Sequence, residues 1–220
     1  MRESKIDRLK RKLFEAQATL ARRQQERISL QELLAAYEAV QKAESALAAA
    51  EGREYAVELD LGVVPEAAIS GARLFQDEDG SFLTFNAMRP RPDGPSVAAG
   101  TAIVELIGCT ITKFGHPNDE ALPGHRLYHS GLGAYGIYEV HNSVWIGEVV
   151  RINQVWFPKT RRKHYGRHFM FVFHDNSLEC IAWDIHLEVR PYSPRFEKVA
   201  EGLLAWSRMR YALDPIDESE

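Results

Sequence analysis

The histidines of this chain are confined to about a third of its length. All eight lie between His116 and His186, and aspartates and glutamates are interleaved with them. Histidine is the side chain that titrates nearest neutral pH, and it is the commonest metal ligand in proteins. We therefore expect acid–base or metal chemistry, if the protein performs any, in this stretch.

The first candidate group lies on a predicted β-hairpin, RHFMFVFHDNSLECIAW. Because side chains alternate across a strand, its phenylalanines are expected to face the core, and His168, His174 and Glu179 the opposite side. His168 and His174 are six residues apart, which is about 20 Å along a strand and too far for both to bind one ion. A buried charge needs a partner, so we predict that His174 and Glu179 pair near the turn, as a structural pair or as part of a site.

The second candidate group lies in the preceding loop, GHPNDEALPGHRLYHSGL. Its dense polar side chains make His116, Asp119 and His125 candidate metal ligands or proton donors. The zinc-protease pattern is absent, because position 126 is Arg rather than Glu. The alternative is a purely structural turn, in which Asn118 or Asp119 caps a short helix.

Together these two groups predict one enzymatic alternative, a metal-assisted or acid/base hydrolase. His174 would be the ligand or base, and Glu179 would orient it. His116, Asp119 and His125 would supply further ligands or the acid. This hypothesis requires the loop and the tip of the hairpin to face each other across a shared pocket. No cofactor is certain from the residues; a divalent metal is the candidate, and the sequence alone does not decide whether the protein is an enzyme.

A basic segment follows the helical pattern VWIGEVVRINQVW. Residues 151–168 contain no acidic side chain, and Trp156, Phe157 and Tyr165 lie among the cations. Cations can bind phosphates while aromatic rings stack on bases, so a nucleic-acid-binding protein is a further alternative to a merely solvated loop. The candidate contacts are Lys159, Arg161, Arg162, Lys163 and Arg167.

Three segments of this region resemble a set of uncharacterised bacterial proteins. They are GHPNDEALPGHRLYHSGL, YEVHNSVWIGEV and RHFMFVFHDNSLECIA, whose PNDE, GHxLY and HFxFxFHDxxxEC elements occur in the same order in that set. The resemblance covers roughly residues 115–185. That set has no assigned activity, so the resemblance implies that these segments belong together and nothing about their chemistry.

The elements that position these residues predict an α+β protein. Residues 1–52 form a helical arm, either a hairpin or a coiled coil, with a capping box at Ser29 and Glu32 and with Gly52 at its end. From Tyr55 the hydrophobic period becomes that of strands, which predicts a mainly antiparallel sheet with two or more helices over residues 53–213.

Three further segments are predicted from the sequence. Residues 89–100, RPRPDGPSVAAG, are expected to form an exposed loop because they are rich in Pro and Gly. An amphipathic helix opened by Ser193 and Pro194 is predicted to close the domain. The acidic tail, 214–220, is expected to fray.

Composition narrows the class of protein further. With 220 residues, 45% hydrophobic content and a net charge of −4, the chain suits one domain with an appendage and no general affinity for polyanions. No apolar run is long enough for a membrane span or signal peptide, so we expect a cytoplasmic protein without membrane partners. Cys109 and Cys180 are expected to be buried and reduced.

The favoured interpretation is therefore an accessory or interaction protein. The leucine-rich face of residues 1–52 would be left in water on an isolated protomer, unless the arm folds back on itself or meets a partner. We expect self-association as a homo-oligomer, or docking to another protein, through this arm.

Overall fold

The computed structural model describes residues 3–68, 71–78, 80–91, 94–158 and 165–193. Its helices are α1 (Lys5–Gln25), α2 (Leu30–Ala50) and α3 (Val144–Trp156), with two short 3-10 turns at Leu122–Gly124 and Tyr128–Ser130. Its strands are β1 (Tyr55–Glu58), β2 (Val64–Pro65), β3 (Arg73–Gln76), β4 (Ser81–Arg91), β5 (Gly94–Ile107), β6 (Ile111–Gly115), β7 (Ile137–His141), β8 (Arg167–Val172), β9 (Ser177–Ala182) and β10 (Asp184–Arg190).

The strands form two antiparallel sheets that share one apolar core. The first sheet has the order β1-β7-β8-β9-β6, and the second has the order β10-β5-β4-β2, with β3 also paired to β4. Alternate residues of both sheets point into the space between them. Phe85 of β4 meets Phe173 of the β8–β9 hairpin there, with 5.4 Å between ring centroids. The predicted α+β class and the core-facing phenylalanines are thus confirmed.

The N-terminal arm is a helical hairpin. The Ser29 hydroxyl accepts the Glu32 amide at 3.2 Å, and the Glu32 carboxylate accepts the Ser29 amide at 3.0 Å. This reciprocal capping box starts α2, as the sequence predicts. Gly52, with a φ of +70°, follows the end of α2 in a conformation that glycine adopts readily.

The two helices of the arm differ in how they pack. No residue of α1 is buried, and its neighbour is α2. In α2, by contrast, Leu47 and Ala48 are buried, and the Ser45 hydroxyl donates to the Ala56 carbonyl of β1 at 2.7 Å. Because β1 is the outermost strand of the first sheet, α2 covers the edge of that sheet. Helix α1 packs on α2.

The expectation of a loop over residues 89–100 is wrong. Strands β4 and β5 continue pairing through this segment, with Arg89 opposite Val97 and Arg91 opposite Gly94. The register shifts between Arg89 and Arg91, at Pro90, which has no amide proton to donate. A proline at a register shift of an exposed two-stranded ribbon is compatible with strand structure. The Pro and Gly content alone had predicted a loop here.

The predicted C-terminal helix beyond Ser193 and the acidic tail 214–220 lie outside the described residues. In the part of the chain that is described, no helix combines the length and the apolar character needed to cross a membrane. The elements that position the candidate site are the two sheets, α2, α3 and the loop between β6 and β7.

Candidate functional site

The candidate site lies on the face of the first sheet that points away from the core. Apolar residues of β7 and β8 on this face, Tyr138 and Met170 among them, are covered by leucines of the β6–β7 loop. The loop is tied to the tip of the β8–β9 hairpin by the Asp119 amide, which donates to the His174 carbonyl at 3.0 Å. The predicted juxtaposition of loop and hairpin is therefore present.

Glu179 is the centre of a cluster of charged and polar side chains, which we define as Glu179, His125, Arg126 and His168 (the Glu179 cluster); Arg126 is its exposed member. The Arg126 guanidinium donates to both carboxylate oxygens, at 3.3 Å and 2.7 Å. His125 Nε2 lies 3.5 Å from Oε1, and His168 Nε2 lies 2.9 Å from Oε2. One carboxylate thus connects the loop, through His125 and Arg126, to strands β8 and β9.

His168 extends the Glu179 cluster to the start of α3. This fully buried imidazole has Nδ1 2.8 Å from the Ser143 hydroxyl, which also accepts the Ile146 amide as the N-cap of the helix. Trp145 packs edge-on against the His168 ring, and Lys113 Nζ lies 3.9 Å from the Trp145 ring centroid. The first turn of α3 is therefore held to the sheet by the same histidine that contacts Glu179.

The electrostatics of the Glu179 cluster fix its carboxylate in the charged form. Burial alone raises the pKa of Glu179, but the close contacts with His125 and His168 and the hydrogen bonds from Arg126 outweigh it and bring the pKa far below its usual range. A carboxylate of this kind does not exchange protons near neutral pH. Glu179 is therefore suited to holding its neighbours in place and unsuited to acid–base catalysis.

Arg126 continues the network to a second acidic residue. Its Nε donates to Glu54 at 2.9 Å, and the other oxygen of Glu54 accepts the Val144 amide at 3.0 Å. The carboxylate of Glu54 thus lies at the N-terminus of α3, where a negative charge is favourable. Two carboxylates share one guanidinium, so each of its three nitrogens donates a hydrogen bond to an acidic side chain.

A second, more exposed group consists of Asp119, His174 and Tyr135 (the Asp119 group). His174 Nδ1 lies 2.8 Å from Asp119 Oδ2, and the Tyr135 hydroxyl donates a short hydrogen bond to the same oxygen. Tyr135 has a φ of +57°, which is uncommon for a residue other than glycine and costs free energy. The His174 side chain is 41% exposed and Asp119 15% exposed, so the imidazole lies at the surface over a covered carboxylate.

The charges in the Asp119 group shift the pKa values in opposite directions. The Tyr135 hydroxyl bond and then His174 lower the pKa of Asp119 against the effect of burial. The bond to Asp119 raises the pKa of His174, and burial together with Asp119 raises the pKa of Tyr135 to about 12. An oriented imidazole over a carboxylate can accept a proton from water or a substrate.

The expected pair of His174 with Glu179 is not what the structure contains. His174 bonds Asp119, and Glu179 is occupied by His168, His125 and Arg126. The physical reason is that β8 ends at Val172, so strand alternation no longer places His174. His168 lies diagonally across from Glu179, because Met170 is the residue directly opposite it.

The remaining loop residues divide between the two groups. His125 joins the Glu179 cluster, whereas His116 is exposed and takes part in no hydrogen bond of either group within the described residues. The Asn118 side chain accepts the Ala121 amide at 3.1 Å, but the expected capped helix is instead a 3-10 turn at Leu122–Gly124 that has no side-chain cap. The loop thus contains both a turn held by a polar side chain, as in the structural interpretation, and histidine–carboxylate contacts, as in the chemical one.

Sequence reasoning missed Arg126, Tyr135 and the role of His168. Arg126 could have been found, because it is the only Lys or Arg between residues 116 and 135, and a covered carboxylate requires a cation. His168 was placed on the correct face but set aside because of its distance from His174. Nothing in the sequence marks Tyr135.

The basic segment is described only in part. Lys159, Arg161, Arg162 and Lys163 lie outside the described residues. Arg167 is engaged by Glu139 at 2.6 Å and by Asp184 at 2.6 Å, so its guanidinium is committed to the fold. The end of α3 is open to solvent, with Trp156 83% exposed. Nucleic-acid binding through this segment stays a prediction.

The carboxylates of the candidate site are paired with protein cations. Over residues 3–68, 71–78, 80–91, 94–158 and 165–193, no group of three or more His, Cys, Asp or Glu side chains is arranged to hold a metal ion. In the Glu179 cluster the position of a cation is taken by the Arg126 guanidinium. A cavity of 340 Å³ lies away from both groups, between α2 and β1.

No protein-family model, no curated protein and no solved structure matches the chain. The resemblance of the three sequence segments to uncharacterised bacterial proteins stays a prediction.

Proposed function

We propose that the protein is an interaction protein that associates with a second copy of itself through the α1–α2 hairpin. The observation that carries this proposal is an apolar stripe on α2, Leu30, Leu34 and Tyr37, whose side chains are 65%, 51% and 41% exposed. These residues are spaced at i, i+4 and i+7 and so lie on one helix face. Phe14 of α1 is 71% exposed as well.

Charge supports a second copy as the partner. Residues 1–27 contain nine Lys or Arg and four Asp or Glu, whereas residues 28–220 contain 18 Lys or Arg and 27 Asp or Glu. The basic segment 1–27 of one protomer is complementary to the acidic remainder of another protomer. In an isologous dimer of this kind, the α1–α2 hairpin of each protomer packs against the rest of the other protomer, and the apolar stripes of both protomers are buried.

The double substitution Leu30→Gln/Leu34→Gln is expected to weaken self-association at least about tenfold, because it removes the centre of the apolar stripe from the interface. Both positions are exposed, so the fold is retained. The measurement is the mass of the full chain against concentration by analytical ultracentrifugation. Raising the salt concentration is also expected to weaken the wild-type assembly, because exposed charges are screened.

The matched control is Val97→Gln, which removes a 39% exposed apolar side chain from the β4–β5 ribbon. This variant is expected to associate like the wild type. The proposal fails if the wild-type chain is monomeric at every concentration, or if the control weakens association as much as the α2 substitutions do.

A second candidate function is supported by the Asp119 group. Nδ1 of His174 is bound to Asp119, and within the described chain Nε2 has no hydrogen-bond partner. We propose that Nε2 could serve as the general base of a hydrolase, taking the proton of a water molecule that attacks an ester or phosphoester. In this proposal Asp119 orients the imidazole and stabilises its protonated form, while Tyr135 holds Asp119.

The pKa of His174, followed by NMR, is expected above the ordinary value of 6.5 in the wild type and nearer to it in Asp119→Asn. A general base works when deprotonated, so the rise of kcat/KM with pH should move to lower pH in this variant. With nitrophenyl ester and phosphoester substrates, His174→Gln is expected to lower kcat about 100-fold.

The control for this prediction is His129→Gln, since the His129 side chain is 79% exposed and lies outside the Asp119 group. Turnover of both substrates that is equal in the wild type, in His174→Gln and in the control would remove the catalytic proposal. A shifted pKa without turnover would mean that the Asp119 group is structural.

A further inference from the structure

The two cysteines of the chain come together although they are far apart in sequence. Cys109 lies in the link between β5 and β6, and Cys180 lies in the middle of β9. The Thr110 amide donates to the Ile181 carbonyl at 2.9 Å, and Thr112 pairs with Cys180 across the β6–β9 ladder. Cys109 packs against the core cluster that contains Cys180, and each of the two thiols shifts the pKa of the other.

The two thiols differ in exposure and in character. Cys180 is completely buried in the core between the sheets, whereas Cys109 is partly exposed at its margin. The Cys180 contact, supported by the Ile111 backbone and the Ser81 hydroxyl, outweighs burial and lowers the pKa of Cys109 to about 7. The same contact and burial raise the pKa of Cys180. Thiolate character and access therefore coincide at Cys109.

We propose that Cys109 and Cys180 form a redox-active dithiol that hydrogen peroxide converts to an internal disulfide. The Cys109 thiolate attacks one peroxide oxygen, the O–O bond breaks, and hydroxide leaves and takes up a proton to become water. The Cys180 sulfur then attacks the Cys109 sulfenic acid, an S–S bond forms, and a second water leaves. Two electrons pass from the two thiols to the peroxide.

The bond would join the β5–β6 connection, which runs between the two sheets, to strand β9. Cys109 follows the last residue pairs of β5 in the second sheet, and Cys180 belongs to β9 of the first. Cys180 also directly follows Glu179, although its side chain points to the opposite face. Oxidation would therefore restrict the motion of strand β9, which carries Glu179. It would also close a long loop in the unfolded chain and so lower its conformational entropy.

The test uses the full reduced chain treated with an equimolar amount of hydrogen peroxide. The expected product loses two hydrogens by intact mass, has no thiol left for alkylation after denaturation, and returns to the starting mass with dithiothreitol. Its Tm is expected to be about 5 °C higher than that of the reduced chain. A lower Tm would contradict the proposal, because the bond would then strain the native fold.

Two variants assign the roles of the sulfurs. Cys180→Ala is expected to retain a single added oxygen at Cys109 that dimedone captures, because the resolving thiol is missing. Cys109→Ser is expected to react with peroxide at least about tenfold more slowly, because the remaining thiol is buried. Equal reactivity of this variant and the wild type would overturn the proposal. Oxygen addition without loss of hydrogens in the wild type, or a disulfide between two chains, would overturn it as well.

Discussion

Glu179→Gln is expected to lower the free energy of unfolding by about 3 kcal/mol, because it removes the charge that compensates a partly buried guanidinium. The Glu179 side chain is 11% exposed, and it is contacted by Arg126, His125 and His168. The neutral amide keeps the shape of the side chain but leaves Arg126 with Glu54 as its acidic partner. Chemical denaturation of the full chain measures the loss.

The pH dependence of this loss follows from the pKa of Glu179. The folded-state pKa lies far below the ordinary value of 4.5, so the stabilisation is complete above pH 4.5 and is lost as the pH falls towards the folded-state pKa. The difference between the wild type and Glu179→Gln should therefore shrink below about pH 4.5.

The matched control is Glu188→Gln, which also removes one carboxylate from a strand and from an arginine pair. Both partners are largely exposed, with side chains of Glu188 and Arg190 49% and 61% accessible. Exposed pairs contribute about 0 to 1 kcal/mol, so this variant should change stability little. Similar losses in the two variants would contradict the central role of Glu179.

Gly131→Ala is expected to destabilise the fold by about 3 kcal/mol, because two separate costs combine at this position. Gly131 has a φ of +96°, which alanine adopts only with strain. An added Cβ would also collide with the Ser45 hydroxyl of α2 and would lie 2.5 Å from the Ala56 carbonyl of β1. The substitution therefore opens the junction of the loop, α2 and the sheet.

Gly124→Ala is the control within the same loop. Its φ lies outside the region that disfavours alanine, and a Cβ there would meet no atom within 4 Å. Thermal unfolding should separate the two variants by several degrees. Equal Tm values would mean that the loop relaxes freely at Gly131, which would contradict its tight packing against α2.

The architecture of the hairpin and the arm could be predicted from the sequence because local rules govern them. Strand alternation placed Phe169 and Phe171 in the core, and the residues at Ser29 and Glu32 defined the start of α2. Local composition failed where tertiary pairing overrides it, as in the β4–β5 ribbon around Pro90. A single sequence does not reveal that this proline lies at a register shift.

The candidate site was predictable in region but not in pairing. The loop and the hairpin do meet, yet which carboxylate meets which histidine depends on a diagonal contact and on where β8 ends. A difference of one residue in the end of a strand moves a side chain to the other face, which is beyond what periodicity resolves. The role of Arg126 could have been predicted from charge balance. The role of Tyr135 could not, because it depends on the path that the backbone of the loop follows.

The packing of α2 along β1 has a consequence for chains shortened near residue 52. An outermost strand offers unpaired amides and carbonyls, and these can template the addition of the same strand from another molecule. The Ser45 hydroxyl occupies one such carbonyl, that of Ala56, and the helix stands across the approach. Proteolysis between α2 and β1, followed by loss of the helices, would therefore release a sheet margin able to grow into insoluble aggregates.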